Sequence, residues 1–270
     1  MYNLHIIKLI MRVLVSLLIL SFLISCSKPE ENFIKIPSEF SVSIVEQIQA
    51  NENRHLYLEI ASLTSTYCQD DTLVYNETLD SFSLNIEILD TYKANSCYER
   101  KYLLSSLIPL PIFSDSLDVT VSLGSASVIK CRVYILDKHY QIVILGGTGL
   151  NNTYQQTFKI PTNLIWGYAY PKSKEPTSES LMNSFKKEVE FDCLTHRLDP
   201  GFYSYFTITD NNLILFKTDP GIVGNYLKFY YFHSKTNDEL DLLFSDLAEK
   251  YNNLVGYKIN LGSGKEYHAY

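Results

Sequence analysis

Cys193-x2-His196-x2-Asp199 is the one place in this 270-residue chain where metal-type ligands stand close together in sequence. A structural zinc site wants a second ligand pair at a recognisable spacing. None follows. His139 or His233 could join through the fold, but the spacing favours a disulfide cysteine beside a loop histidine, with no metal and no cofactor. The same residues could form a thiol nucleophile and its base, but in an oxidising compartment the thiol is expected to be oxidised. Gly146-Gly147-Thr148-Gly149 has the glycine density of a phosphate cradle, yet neither a lysine nor a helical pattern follows it. It reads as a turn. Gly262-Ser263-Gly264-Lys265 has the lysine but stands at the end of the sequence with no helical pattern beyond, and no G-x-S-x-G elbow is present.

Glu188, Glu190, Asp70, Asp71 and Asp192 are carboxylates that could pair for glycoside hydrolysis, though an acidic chain offers such pairs by chance. Asp115, Asp118, Asp210 and Asp219 fall near turns without the spacing of a calcium loop, and read as solvated turn residues. The composition is unusual in its rings, with 21 Tyr and 14 Phe against one Trp. On the stretch Tyr226 to Phe232, Tyr226, Lys228 and Tyr230 share one face, and they are the binding candidates. Against this stands a strand covered on both faces, by the following helix and by the sandwich; the pattern favours that covered arrangement.

The elements that would position these residues are mostly strands. Phe82, Leu84, Ile86 and Ile88 alternate with polar residues, as do Leu117, Val119 and Val121, and then Ile129, Cys131, Val133 and Ile135. Asp137-Lys138 separates the last set from His139 to Leu145, which predicts a hairpin. Leu56 to Thr66, Thr72 to Leu79 and Phe82 to Tyr92 read as an up-down-up meander. The fold class expected is mainly β: an antiparallel β-sandwich over 40–170, then a smaller α+β unit over 171–270. In that second part Leu181, Phe185 and Val189 recur at helical spacing. Phe202 to Thr209, Leu213 to Lys217, Tyr226 to Phe232 and Leu254 to Asn260 are strand-like. Thr236 with Glu239 forms a capping box ahead of a second helix.

The first 25 residues have another purpose. Lys8 and Arg12 precede an apolar run from Val13 to Ile24, and Leu23-Ile24-Ser25-Cys26 closes it. A spanning helix needs about 20 apolar residues, so this shorter run predicts a signal peptide. Its end resembles the lipobox of bacterial lipoproteins: Leu23, Ser25 and Cys26 match, while Ile24 departs from the usual small residue. The resemblance implies that Cys26 receives a diacylglyceryl group, that the chain is cut before it, and that residues 26–39 tether the body to a membrane. A start at Met11 would keep the same signal. Ser27 is not the aspartate that retains some lipoproteins in the inner membrane. Lys28, Glu30 and Glu31 resemble the charged export signal of surface lipoproteins in Bacteroidota-type bacteria. Both likenesses imply a cell-envelope location at the outer membrane, on its periplasmic face or at the cell surface.

Loss of Lys8 and Arg12 with the signal moves the formal charge from −7 to −9, which disfavours nucleic acid as a partner. Four cysteines remain besides Cys26. The meander would bring Cys68 and Cys97 to one sheet edge, making Cys68–Cys97 the preferred bridge, with Cys131–Cys193 as a second pair or two thiols. The function expected is non-catalytic binding of another protein or a glycan. The alternatives are a periplasmic immunity or inhibitor protein and a carboxylate-dependent hydrolase.

Overall fold

Seventeen strands and two helices are described in the computed structural model, which covers 40–269 apart from 51–52, 69–70, 81, 94–101, 112–114, 124–126, 148, 174–177, 192 and 195. The signal, Cys26 and the tether lie outside the described residues, as do Cys97, Asp70 and Asp192. The first sheet joins β5 (Tyr102–Leu110), β2 (Arg54–Tyr67), β1 (Phe40–Ile48) and β9 (Leu150–Asn152), in that order. Facing it is a sheet of nine. Its order is β14 (Ile214–Phe216), β13 (Phe206–Ile208), β12 (Gly201–Phe202), β10 (Gln156–Phe158), β8 (His139–Gly146), β7 (Ser127–Ile135), β6 (Ser116–Leu123), β4 (Ser83–Tyr92) and β3 (Thr72–Asp80).

The alternation in the sequence explains the core between these sheets. Leu84, Ile86 and Ile88 of β4, Val119 and Val121 of β6, and Cys131 and Val133 of β7 point inward. They join Phe40, Val42, Leu58 and Ile60 of the opposite sheet in one apolar cluster. The fold is thus mainly β, with a sandwich at its centre. Most pairings are antiparallel, and among the described strands three are parallel: β1–β9, β4–β6 and β10–β12. The β4–β6 pairing exists because β5, between them in sequence, crosses to the other sheet.

That crossing corrects the expected meander. β2 pairs with β1 and β5, and β3 pairs with β4 in the facing sheet, so the first strand of the supposed meander is not a neighbour of the second. Cys68 is disulfide-bonded, and Cys97 lies outside the described residues. Of the two alternatives for the other pair, the structure has two thiols: Cys131 and Cys193 are not joined in a disulfide. Cys131 is enclosed in the sandwich core, and burial, then the Asp118 charge, pushes its thiol up to about 12. Cys193 follows the first helix and its Sγ donates to the Val189 carbonyl at 3.2 Å.

A third sheet has the order β15 (Leu227–Phe232), β11 (Leu164–Pro171), β16 (Val255–Leu261) and β17 (Glu266–Ala269). Segments on both sides of residue 170 therefore share it. Two helices, α1 (Ser178–Glu190) and α2 (Asn237–Lys250), are associated with this sheet, where Phe185, Val189, Leu240, Phe244 and Leu247 meet Ile165, Phe229, Tyr257 and Ile259. Burying one such Phe or Leu contributes about 1.5–3 kcal/mol. The capping box forms as its spacing predicts: the Thr236 hydroxyl accepts from the Glu239 N–H, and the Glu239 carboxylate accepts from the Thr236 N–H at 2.7 Å. On the other face, Leu164, Trp166 and Phe232 meet Tyr203, Phe206 and Ile214 from the end of the nine-stranded sheet.

A polar cluster ties these layers. Glu46 is fully buried and its carboxylate accepts from Arg54 Nη1 at 3.1 Å, the Tyr140 hydroxyl at 2.8 Å and the Ile160 N–H at 3.2 Å. Arg54 also donates to the carbonyls of Ile160 at 2.7 Å and Gly262 at 3.1 Å. The Glu46 N–H donates to Ser204 Oγ at 2.8 Å. Ser204 stands at φ 62°, a left-handed conformation that interrupts the strand expected over Phe202 to Thr209 and splits it into β12 and β13.

Candidate functional site

β15 is the last strand of its sheet, and a groove of about 640 Å³ opens beside it. Tyr226, Lys228 and Tyr230, the binding candidates from the sequence, all line it. Each is half-buried, because the strand is covered much as the pattern favours: Phe229 and Tyr231 pack with the helices, while Tyr230 and Phe232 pack against the aromatic cluster below. Among the described residues, what stays open is the strand's margin.

Local structure positions the other linings. Phe185 and Val189 turn the inner face of α1 to the core, and on its flank Lys186 and Glu190, one turn apart, reach the groove. The β13–β14 turn supplies Asn212 and Leu213, with Asn212 at φ 61° and Thr209 Oγ1 accepting from the Leu213 N–H at 3.1 Å. The Tyr230 hydroxyl donates to Asn212 Oδ1, which fixes the turn to β15. Lys228 Nζ lies 5.1 Å from the Tyr226 ring and 5.8 Å from the Phe216 ring, so its stem is steadied by aromatic faces. The Tyr231 hydroxyl donates to Glu190 Oε2 at 3.3 Å; burial first, and then the Glu190 charge, raises it well above an ordinary phenol, so it stays a neutral donor.

The Cys193/His196/Asp199 cluster is divided. Cys193 and His196 line the groove, His196 with its ring 5.7 Å from Phe232, whereas Asp199 lines a neighbouring cavity of about 320 Å³. Arg197 borders both. Among the described residues no three His, Cys, Asp or Glu side chains come together to hold a metal. His139 packs its ring against Phe158, and His233 is buried elsewhere with Nδ1 donating to the Lys235 carbonyl at 3.2 Å.

Several of the other candidate residues have structural partners. Asp71 accepts from the Cys68 N–H, Glu188 accepts from Lys250 and Tyr251, Asp118 pairs with Arg132 on the adjacent strand, and Asp219 accepts from the Gly221 N–H. Gly262-Ser263-Gly264-Lys265 is the β16–β17 turn. A Cβ on Gly262 would meet the Pro161 carbonyl at 1.9 Å, and the Lys265 ammonium is taken by Asp241. Gly147, at φ 106°, lies against the Val128 carbonyl, which explains a glycine after β8 without any anion.

Among the described residues the groove lining carries Lys186, Arg197 and Lys228 against Glu190, in a chain whose net charge is −7. Among the described residues neither Lys186 nor Arg197 has an ion-pair partner. Sequence reasoning found the aromatic strand and missed these two cations, because only the fold brings α1 and the segment after it to β15. Compared with known proteins, the chain matches no family model, no curated protein and no solved structure.

Proposed function

We propose that this protein is a lipid-anchored binding protein of the bacterial cell envelope, fixed through Cys26 at the outer membrane and holding a protein or glycan partner in the groove beside β15. The supporting observation is the groove itself, where half-buried tyrosines and three cations line a margin that no neighbouring strand covers over Leu227 to Tyr231 among the described residues. Concave sites that combine aromatic bodies with a few fixed polar groups are binding sites. Charge of one sign at such a site steers and selects an opposite partner. Of the carboxylates considered for hydrolysis, Asp71, Glu188 and Glu190 each accept a hydrogen bond from a neighbouring group, which favours binding over catalysis.

The test is affinity capture of the full chain from its own envelope, comparing the native protein with Lys186→Glu/Arg197→Glu. Arg197 is exposed and Lys186 half-buried at the groove, and neither serves a described ion pair. The native protein retains a partner that the variant loses. Equal recovery of the same partner by both would remove the groove from the account.

A further inference from the structure

The margin of β15 carries a chemical instruction beyond its side chains. In an antiparallel ladder, alternate residues turn both main-chain groups toward the partner strand and the rest turn them away. The His233 N–H donates to Asn163 on the β11 side at 3.0 Å, while the Phe232 carbonyl accepts from the Leu194 N–H on the other side at 2.7 Å. Counting back from Phe232 in twos, Tyr230 and Lys228 present their N–H and C=O groups to the groove. The Leu194–Phe232 bridge occupies one end of this margin, and among the described residues no strand pairs with the remainder.

We propose that the groove accepts an extended, acidic segment of a partner polypeptide as an added strand on β15, antiparallel or parallel, across Leu227 to Tyr231. This rests on the groove being the partner site proposed above, and it names the class of partner. A polypeptide answers the observation better than a glycan, because the outward N–H and C=O groups recur every two residues, about 7 Å, the repeat of a peptide main chain. The groove also has two walls for the alternating side chains of such a segment. On one side stand Lys186 and Glu190 of α1; on the other stand Leu213 and Leu215, both more exposed than buried-core leucines, at 61% and 48%. Lys228 sits at the centre of the edge. A lysine there discourages pairing with a neutral strand, and together with Lys186 and Arg197 it favours one bearing aspartate or glutamate.

Selection of linear heptapeptides displayed on phage, against the full chain in detergent, supplies the probe, and synthetic copies of the selected peptides are then measured by fluorescence polarisation. The expected peptides carry acidic residues. Lys228→Pro removes an N–H that β11 does not use and weakens them by about tenfold or more, the loss of a main-chain hydrogen bond together with the charge. Lys228→Gln keeps that N–H and costs less, while reducing the salt dependence. Methylating alternate peptide amides abolishes binding in one register and is tolerated in the other, which tests strand pairing even if the proline variant folds poorly. Failure to select any peptide, or selected peptides indifferent to both Lys228→Pro and amide methylation, overturns strand addition. Envelope capture of a glycan that Lys186→Glu/Arg197→Glu abolishes would then leave the groove as the partner site, whereas capture unaffected by that variant would remove both.

Discussion

Replacing Glu46 by alanine should cost about 3–5 kcal/mol of folding stability, the range for breaking a buried ion pair by removing one partner. The carboxylate is fully buried and three donors converge on it from β2, β8 and the segment before β11. Its loss leaves the Tyr140 hydroxyl and the Ile160 N–H without their acceptor, at about 1–3 kcal/mol for each unsatisfied group if they acted separately. The total stays below the sum, because Arg54 keeps its bonds to the Ile160 and Gly262 carbonyls. Glu46→Gln retains an acceptor and loses the charge, so it should fall between alanine and the native residue. Arg54→Ala should be costly too, since it strands a buried carboxylate. The double replacement should cost less than the two single ones added together, by about 0.5–3 kcal/mol. Urea unfolding followed by the fluorescence of Trp166, the only tryptophan and a buried one, reads all four variants. A loss under about 1 kcal/mol for Glu46→Ala, or strict additivity with Arg54→Ala, would refute the view that this cluster ties the layers.

Cys193 should alkylate well before Cys131 in the folded protein at pH 8. Burial holds the Cys131 thiol at about 12, so only about one molecule in ten thousand carries its thiolate at that pH; equal labelling rates by mass spectrometry would contradict the burial. His233 has its pKa lowered from 6.5, chiefly by burial, so the folded state resists its protonation. Its contribution to stability is therefore present above about pH 6.5 and is lost as pH falls below that value toward the folded pKa. Unfolding midpoints between pH 7.5 and 5 should fall more steeply for the native chain than for His233→Asn, and parallel curves would refute the assignment. Gly264→Ala should destabilise by about 1–3 kcal/mol, because the residue sits at φ 88° and an added Cβ would meet the Gln49 carbonyl at 1.8 Å; an unchanged unfolding midpoint would contradict that turn geometry. A fatty-acid probe should label the native chain in cells and leave Cys26→Ala unlabelled, and equal absence of label in both would end the lipoprotein reading.

Strands with one wet face were readable from sequence, since period two survives wherever one side meets solvent. Leu84, Ile86 and Ile88 are buried while Asn85, Glu87 and Leu89 are exposed. β11 escaped the same reasoning because both its faces are covered: Ile165 and Ala169 pack toward the helices and Leu164 and Trp166 toward the aromatic cluster, so no alternation remains. The capping box was legible because all its atoms lie within four residues. The division of the strands between the two sheets of the sandwich was not, because β5 crosses between sheets and nothing local in Leu103 to Leu110 dictates which neighbour it takes. The same distance rule governed the site. Tyr226, Lys228 and Tyr230 share a strand face and could be named together, while Lys186, Arg197 and Asn212 join them only once α1 and the β13–β14 turn are set against β15.

The most direct measurement is in-cell photo-crosslinking, with a benzophenone amino acid at Leu215 in the groove or at Leu79 on the far sheet edge, both about half exposed at 48% and 49%. A defined crosslinked product from Leu215 and none from Leu79 is the result expected. No product from Leu215, or the same product from both positions, would contradict a partner seated beside β15.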